Sequence, residues 1–178
     1  MVLLGIEMKV IFVRHGAPDY SELEERSYTG FGLDLAPLSE QGRRQAQELC
    51  QHPLLRSADL LVSSAVTRAL ETASYVACAT ALPLRVEPLL HEWQVYETGV
   101  ENFEKARSLF LENNGALLPN SPIQYETAAE MKARFIDCMA KYRDYQTVVL
   151  VAHRMLIRQF VPNETIDFCQ VIECEIEI

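Results

Sequence analysis

Apolar residues along this chain gather in short runs, and the runs are of two kinds. "VIFV" at 10–13, "DLLVS" at 59–63 and "TVVLVA" at 147–152 are continuous and made of strand formers, the pattern of strands covered on both faces as in a parallel sheet. The first is expected to begin at Met8, and "LRVE" at 84–87 predicts a shorter strand. The final "QVIECEIEI" alternates apolar and acidic positions, which predicts an edge strand with one wet face whose glutamates serve solubility. Between the runs, helical periodicity predicts helices over 39–51, 65–80, 126–142 and 154–161, with Ser39 as the N-cap of the first and Glu40 in its opening turn. Strands alternating with helices imply α/β layering. From 93 to 125 the periodicity loosens and "NNGALLPNSP" marks a loop, so this stretch is expected to be a small covering insertion in a single domain spanning 1–178. Residues 1–7 are expected to form a frayed or extended terminus ahead of Met8.

Composition narrows the functional classes. A chain of 178 residues, 49% of them hydrophobic, can bury a core and is short enough for one domain. Its formal net charge of -9 leaves no basic stripe for nucleic acid or for an anionic membrane surface, so an anionic ligand must be held by a few local cations. The five cysteines are odd in number and show no CxxC spacing, which points to neither a disulfide framework nor a zinc site. A reducing, cytoplasmic setting is expected, with Cys78 and Cys138 as small core residues. "MVLLGIEMK" has too short an apolar run for a signal peptide, and no stretch approaches a membrane span.

Three of the predicted strands run out into the same kind of chemistry. The first ends in Arg14-His15-Gly16; the second passes through Ser63 and Ser64 into a helix carrying Arg68 in its first turns; "VVLVAHRMLIR" ends in His153. Ligands of open α/β sheets bind just beyond the carboxyl ends of the strands, so two arginines and two histidines are expected to converge there. Arginine presents a planar fork of donors that matches phosphate oxygens. Helix N-termini near Ala65 and Arg154 would add N–H groups and a positive dipole end. A neutral imidazole can attack phosphorus and form a covalent intermediate.

The segments "VRHGAPDY", "APLSEQGRRQAQ", "LVSSAVTRALETA", "LLHEW", "YETAAEMKARF" and "VVLVAHRMLIRQF", in this order and spacing, resemble the histidine phosphatase superfamily, also called phosphoglycerate mutase-like, from Lys9 to Phe160. Together with the element pattern, the resemblance implies a three-layer α/β/α sandwich with a mostly parallel sheet, one antiparallel edge strand and a small helical or loop cover. It implies that His15 is phosphorylated, that Arg14 and Arg68 grip the phosphoryl oxygens, that a cationic or donor-bearing His153 assists, and that Glu92 donates the proton. On this reading Glu92 is kept protonated by its anionic neighbourhood, and Asp19 and Glu97 are the competing acids. No metal and no cofactor are implied. Gly16 is expected to let the backbone approach the anion, Ser21 falls where relatives carry a phosphate-contacting asparagine, and Thr29 is expected to line the same pocket. Arg154 departs from the small residue usual after the second histidine and is expected either to point away or to add charge at the mouth. Arg26 reads mainly as part of a solvated charged face, His91 as a surface or hydrogen-bonded residue, and His52 as a helix C-terminal cap.

The expected activity is hydrolysis of a phosphomonoester through a phosphohistidine, acting on a small phosphorylated metabolite. A phosphoglycerate mutase, a phosphohistidine protein phosphatase and a non-catalytic phospho-ligand-binding relative are the alternatives. The acidic 93–125 cover, with Lys105 and Arg107 as its only bases, favours hydrolysis over mutase chemistry. The alternating terminal strand is available for pairing in a homodimer.

Overall fold

The structure, a computed structural model, describes residues 7–97, 99–161 and 165–178. The terminus expected ahead of Met8 lies outside these residues except for Glu7, which already belongs to the first strand. Five strands, β1 (Glu7–Arg14), β2 (Leu60–Ser64), β3 (Leu84–Glu87), β4 (Thr147–Ala152) and β5 (Val171–Glu177), form one sheet in the order β3-β2-β4-β1-β5. Neighbours are parallel except β5, which runs antiparallel to β1 at the edge. Every strand lies within a residue of its predicted span, because continuous apolar runs bounded by polar residues leave little freedom of register.

The helices are α1 (Ser21–Glu25), α2 (Glu40–Leu49), α3 (Thr67–Thr80), α4 (Val100–Glu112), α5 (Ala128–Met139) and α6 (Arg154–Ile157). Successive strand residues face opposite ways, and this divides the core. Ile11, Val13, Leu61, Val149 and Val151 pack with Leu49, Ala69, Ala73 and Val76 of α2 and α3. Val10, Phe12, Leu60, Val62, Val148 and Leu150 pack with Phe110, Met131, Phe135 and Leu156 of α4, α5 and α6. The crossovers from β1 through β2 to β3 run one way along the sheet, and the return from β3 to β4 runs the other. Right-handed crossovers running in opposite directions put their helices on opposite faces, so three layers follow from the strand order.

The connection leaving β1 passes over one face and the one leaving its neighbour β4 over the other. Such a switch in direction opens a crevice at the carboxyl ends of the two strands. Arg14 ends one of these strands, and His153 directly follows the other.

The expectations for Cys78 and for the length of the fourth helix fail here, and the covering segment proves helical. The loosened stretch contains a full helix, α4, whose narrow apolar stripe buries Ala106 and Phe110; the Phe110 ring lies 5.2 Å from that of Trp93 and 5.9 Å from that of Tyr125. Its charged residues dilute the stripe, and Gly99 provides no side-chain cap to announce the start. Cys78 is exposed rather than in the core, whereas Cys138 is buried as expected. The fourth predicted helix is a single α turn, α6, and carries little dipole.

Candidate active site

The β1–β4 ladder runs one residue past β1: the His15 N–H donates to the Ala152 carbonyl at 3.1 Å. His15 and His153 therefore extend from adjacent strands, and their ring centroids stand 5.1 Å apart. On the far side of β4, β2 ends at Ser64 and the chain turns into α3, whose second residue is Arg68. Arg68 is buried and its Nε donates to His15 Nε2 at 3.3 Å. Arg14 is held by Nη1 donating to the Ile166 carbonyl at 2.6 Å, and its guanidinium carbon lies 3.8 Å over the Phe168 ring, a cation–π contact. The fold thus gathers the two arginines and two histidines predicted to meet.

The hydrogen bonds assign the protons. His15 Nδ1 lies 2.7 Å from the Gly16 carbonyl, which can only accept, so Nδ1 carries the hydrogen and Nε2 keeps its lone pair. Burial, reinforced by Arg68 and then Arg14, pushes the His15 pKa down to about 3. His153 is fully buried, and burial together with Arg68 and His15 holds it well below the usual imidazole range. Of the two forms expected for His153, the neutral donor is the one this environment favours. Its Nε2 lies 2.8 Å from Ser64 Oγ, and because that oxygen accepts the Val66 N–H at 3.2 Å its hydroxyl hydrogen can go to Nε2, which leaves the imidazole hydrogen on Nδ1. Arg14 Nε, Arg68 Nη1 and His153 Nδ1 are buried polar atoms without a hydrogen-bond partner among the described residues. Leaving such groups unmatched is costly.

Glu92 follows β3 and a short 3-10 turn at Pro88–Leu90. One of its oxygens accepts from the Trp93 N–H at 2.9 Å. Burial pushes its carboxyl pKa up, against the opposing pull of the Trp93 N–H, Arg68 and Arg14. This corrects the expected cause: burial is what raises the Glu92 pKa, and the charged neighbours acting on it are cations that lower it. The competing acids lie elsewhere. Asp19 is exposed and held low by its hydrogen bonds from Ser21, and Glu97 accepts the Gln124 N–H at 3.0 Å. His91 is a hydrogen-bonded residue, its Nδ1 facing the Glu92 carbonyl at 2.7 Å.

The remaining predicted contacts divide. Gly16 is needed for a different approach: a Cβ there would lie 2.7 Å from the Gly42 carbonyl oxygen, and one on Gly42 would lie 2.1 Å from that of Ala17. The close contact is between the loop after β1 and the first turn of α2, and the Gly16 N–H is engaged by Thr72 Oγ1 at 3.0 Å. Ser39 caps α2 as predicted, accepting from the Gly42 N–H, and its hydroxyl donates to the Ala17 carbonyl. Ser21 is exposed with its hydroxyl donating to Asp19 at 2.7 Å, and Thr29 is exposed ahead of a 3-10 turn at Gly30–Leu35. Arg26 pairs with Glu22 on the surface. Arg154 is half-buried, and its charge reaches Arg14. His52 does not cap α2 with its ring, whose buried Nδ1 has no hydrogen-bond partner among the described residues.

Two residues at the site carried no signal in the sequence. Asp34, on the 3-10 turn, places Oδ1 at 3.6 Å from Arg68 Nη1. Tyr20 is half-buried; burial raises its pKa, and Arg68, Glu92, Asp34 and Arg14 all act on its hydroxyl. Both arrive because residues 18–38 form a closed excursion, pinned where Pro18 bridges Leu38 and the Asp19 N–H donates to the Pro37 carbonyl at 2.8 Å.

Residues 10–163 match the family model of the histidine phosphatase superfamily (branch 1). The adenosylcobalamin/alpha-ribazole phosphatase of Escherichia coli K12 is 26% identical over 156 residues, covering 83% of this chain and 74% of that protein. Among solved structures, a mycobacterial glucosyl-3-phosphoglycerate phosphatase superposes with a TM-score of 0.62 at 27% identity, covering 86% of this chain and 77% of the other. Mycobacterial hydrolase 1 gives a TM-score of 0.64 at 27% identity, with coverages of 86% and 78%.

Proposed function

As the chain belongs to the histidine phosphatase superfamily (branch 1), we propose that it hydrolyses phosphomonoesters through a phosphohistidine formed at His15. One observation carries the reading: three buried polar atoms without a hydrogen-bond partner among the described residues, Arg14 Nε, Arg68 Nη1 and His153 Nδ1, belong to the residues around the His15 lone pair, and only Arg68 Nη1 has even a loose ion pair, with Asp34. Phosphoryl oxygens would satisfy them. The Arg68 Nε contact to His15 Nε2 is long at 3.3 Å and is given up when the guanidinium turns to the phosphoryl group.

In the first step His15 Nε2 attacks phosphorus, the P–O bond to the alcohol breaks, and Glu92 gives its proton to the leaving oxygen. In the second, the Glu92 carboxylate takes a proton from water as that water attacks phosphorus. The P–N bond then breaks, releasing inorganic phosphate and restoring neutral His15 and protonated Glu92. Guanidinium and imidazole donors offset charge on the equatorial oxygens, the main source of rate in phosphoryl transfer. The names of the relatives support a small phosphorylated metabolite as substrate. Hydrolysis is favoured over mutase chemistry because Arg107 of the covering segment is paired with Glu104 on α4.

The test is release of phosphate from an aryl phosphate, with acid-labile label trapped on the protein, alongside interconversion of 3- and 2-phosphoglycerate. Turnover with transient label and no interconversion is expected; binding without turnover would leave a phospho-ligand module instead.

The pH profile is a sharper check. An ordinary imidazole would lose its nucleophilic form below about pH 6.5, whereas His15 stays neutral down to about 3. Glu92 acts in its protonated form, so activity is lost as pH rises through its raised pKa. After correction for substrate ionisation, kcat/KM is expected to show no acid limb near pH 6.5 and to fall as pH rises through the raised pKa of Glu92. An acid limb centred near 6.5 would count against the neutral His15 described above.

Asp34 competes with a phosphoryl group for Arg68. Asp34→Asn is expected to tighten inorganic phosphate binding about two- to fivefold, the scale of a partly exposed ion pair. Titration calorimetry would measure this, and weaker binding would show the carboxylate to be an aid rather than a rival.

A further inference from the structure

Glu92 sits in a segment, residues 91–94, that belongs to no strand or helix. A proton donor must be held to hydrogen-bond accuracy, so something else must fix it. The buried pair Glu126–Arg134 lies directly behind. Arg134, on α5, engages Glu126 through both arms, Nε to Oε1 at 2.5 Å and Nη2 to Oε2 at 3.0 Å, with both side chains nearly enclosed. Its remaining donor, Nη1, goes to the Leu89 carbonyl. Glu126 takes the other side: its N–H donates to the Gln94 carbonyl at 2.8 Å, its carbonyl accepts Trp93 Nε1 at 2.6 Å, and its Oε2 accepts the Gln94 N–H at 3.4 Å.

We infer that Glu126 and Arg134 are positioning residues that clamp the 89–94 segment on both sides of Glu92 and so set the carboxyl against the leaving-group oxygen. A buried ion pair is a poor way to gain stability, since desolvating the two charges offsets much of their attraction. What this pair offers is direction, because its outward hydrogen bonds run to residues 89 and 94, flanking the acid. The Arg134 charge also reaches Glu92 and His153. Thr127 and Glu130 form a capping box that starts α5 immediately after Glu126, and this fixes the base from which Arg134 reaches.

The inference rests on Glu92 being the general acid, and leaving-group dependence separates the two ideas. Proton donation matters greatly for an alkyl phosphate and little for 4-nitrophenyl phosphate, whose leaving group departs as a stable anion. kcat/KM covers the steps up to alcohol release, so the ratio of the two substrates isolates the proton transfer. Arg134→Met is expected to lower kcat/KM for a simple alkyl phosphate at least about tenfold more than for 4-nitrophenyl phosphate, with the same direction in Arg134→Lys, which keeps the charge and loses the fork. Arg134→Lys carries the test if the methionine variant does not fold. Equal losses on both substrates, or no loss, would overturn the clamp. Glu92→Gln serves as reference: a skewed ratio there with none in the Arg134 variants sinks the clamp alone, and an even ratio in Glu92→Gln sinks the assignment of the acid.

Discussion

His15→Ala is expected to lower kcat on an aryl phosphate by at least about a thousandfold, the scale of losing a covalent nucleophile, and to retain no acid-labile label. The side chain's polar contacts are with the Gly16 carbonyl and Arg68 Nε, so its removal breaks no structural network. Arg14, Arg68 and His153 remain, and inorganic phosphate should still bind, within about tenfold of wild type by calorimetry. Loss of turnover with retained binding is the signature of a nucleophile. Residual kcat within tenfold of wild type would mean that water attacks the substrate directly and that the imidazole only contributes to binding.

Arg68→Ala is expected to cost about 10²- to 10³-fold in kcat/KM, the range for removing a preorganised donor to developing charge. Arg68→Lys should recover only part of this, because an ammonium cannot present two parallel N–H groups. The same guanidinium, after burial, is the largest influence holding His15 neutral. Removing the cation makes protonation of His15 easier, so its pKa rises and the acid limb of kcat/KM moves up toward neutrality. A variant that loses rate with an unmoved acid limb would show Arg68 to act on the substrate alone.

The strands and their chemistry were open to reading because both rest on short-range rules. Val10 to Val13 and Val148 to Val151 are short apolar runs, mostly β-branched, that read as covered strands, and residues that follow parallel strands lie at the edge where ligands bind. Ser39 announced its helix by the same local logic. The stripe of α4 was missed because charged neighbours dilute it and its start has no capping side chain. Local sequence points Gly16 toward the ligand, whereas its missing side chain makes room for α2, and nothing in its own neighbourhood of sequence names Gly42.

The sequence by itself determined which residues we propose for the chemistry: Arg14, His15, Arg68 and His153 from residue type and place relative to a strand end, and Glu92 from the family resemblance. The tertiary structure decided the state in which they wait: the proton on His15 Nδ1, the carboxyl of Glu92 raised by burial, Asp34 at Arg68, and the Glu126–Arg134 pair behind the acid. The pKa values follow from burial and from charges tens of residues away, and the His15 Nδ1 proton from the way the backbone turns at Gly16. Those are fixed only when the sheet closes and the loops return to its edge.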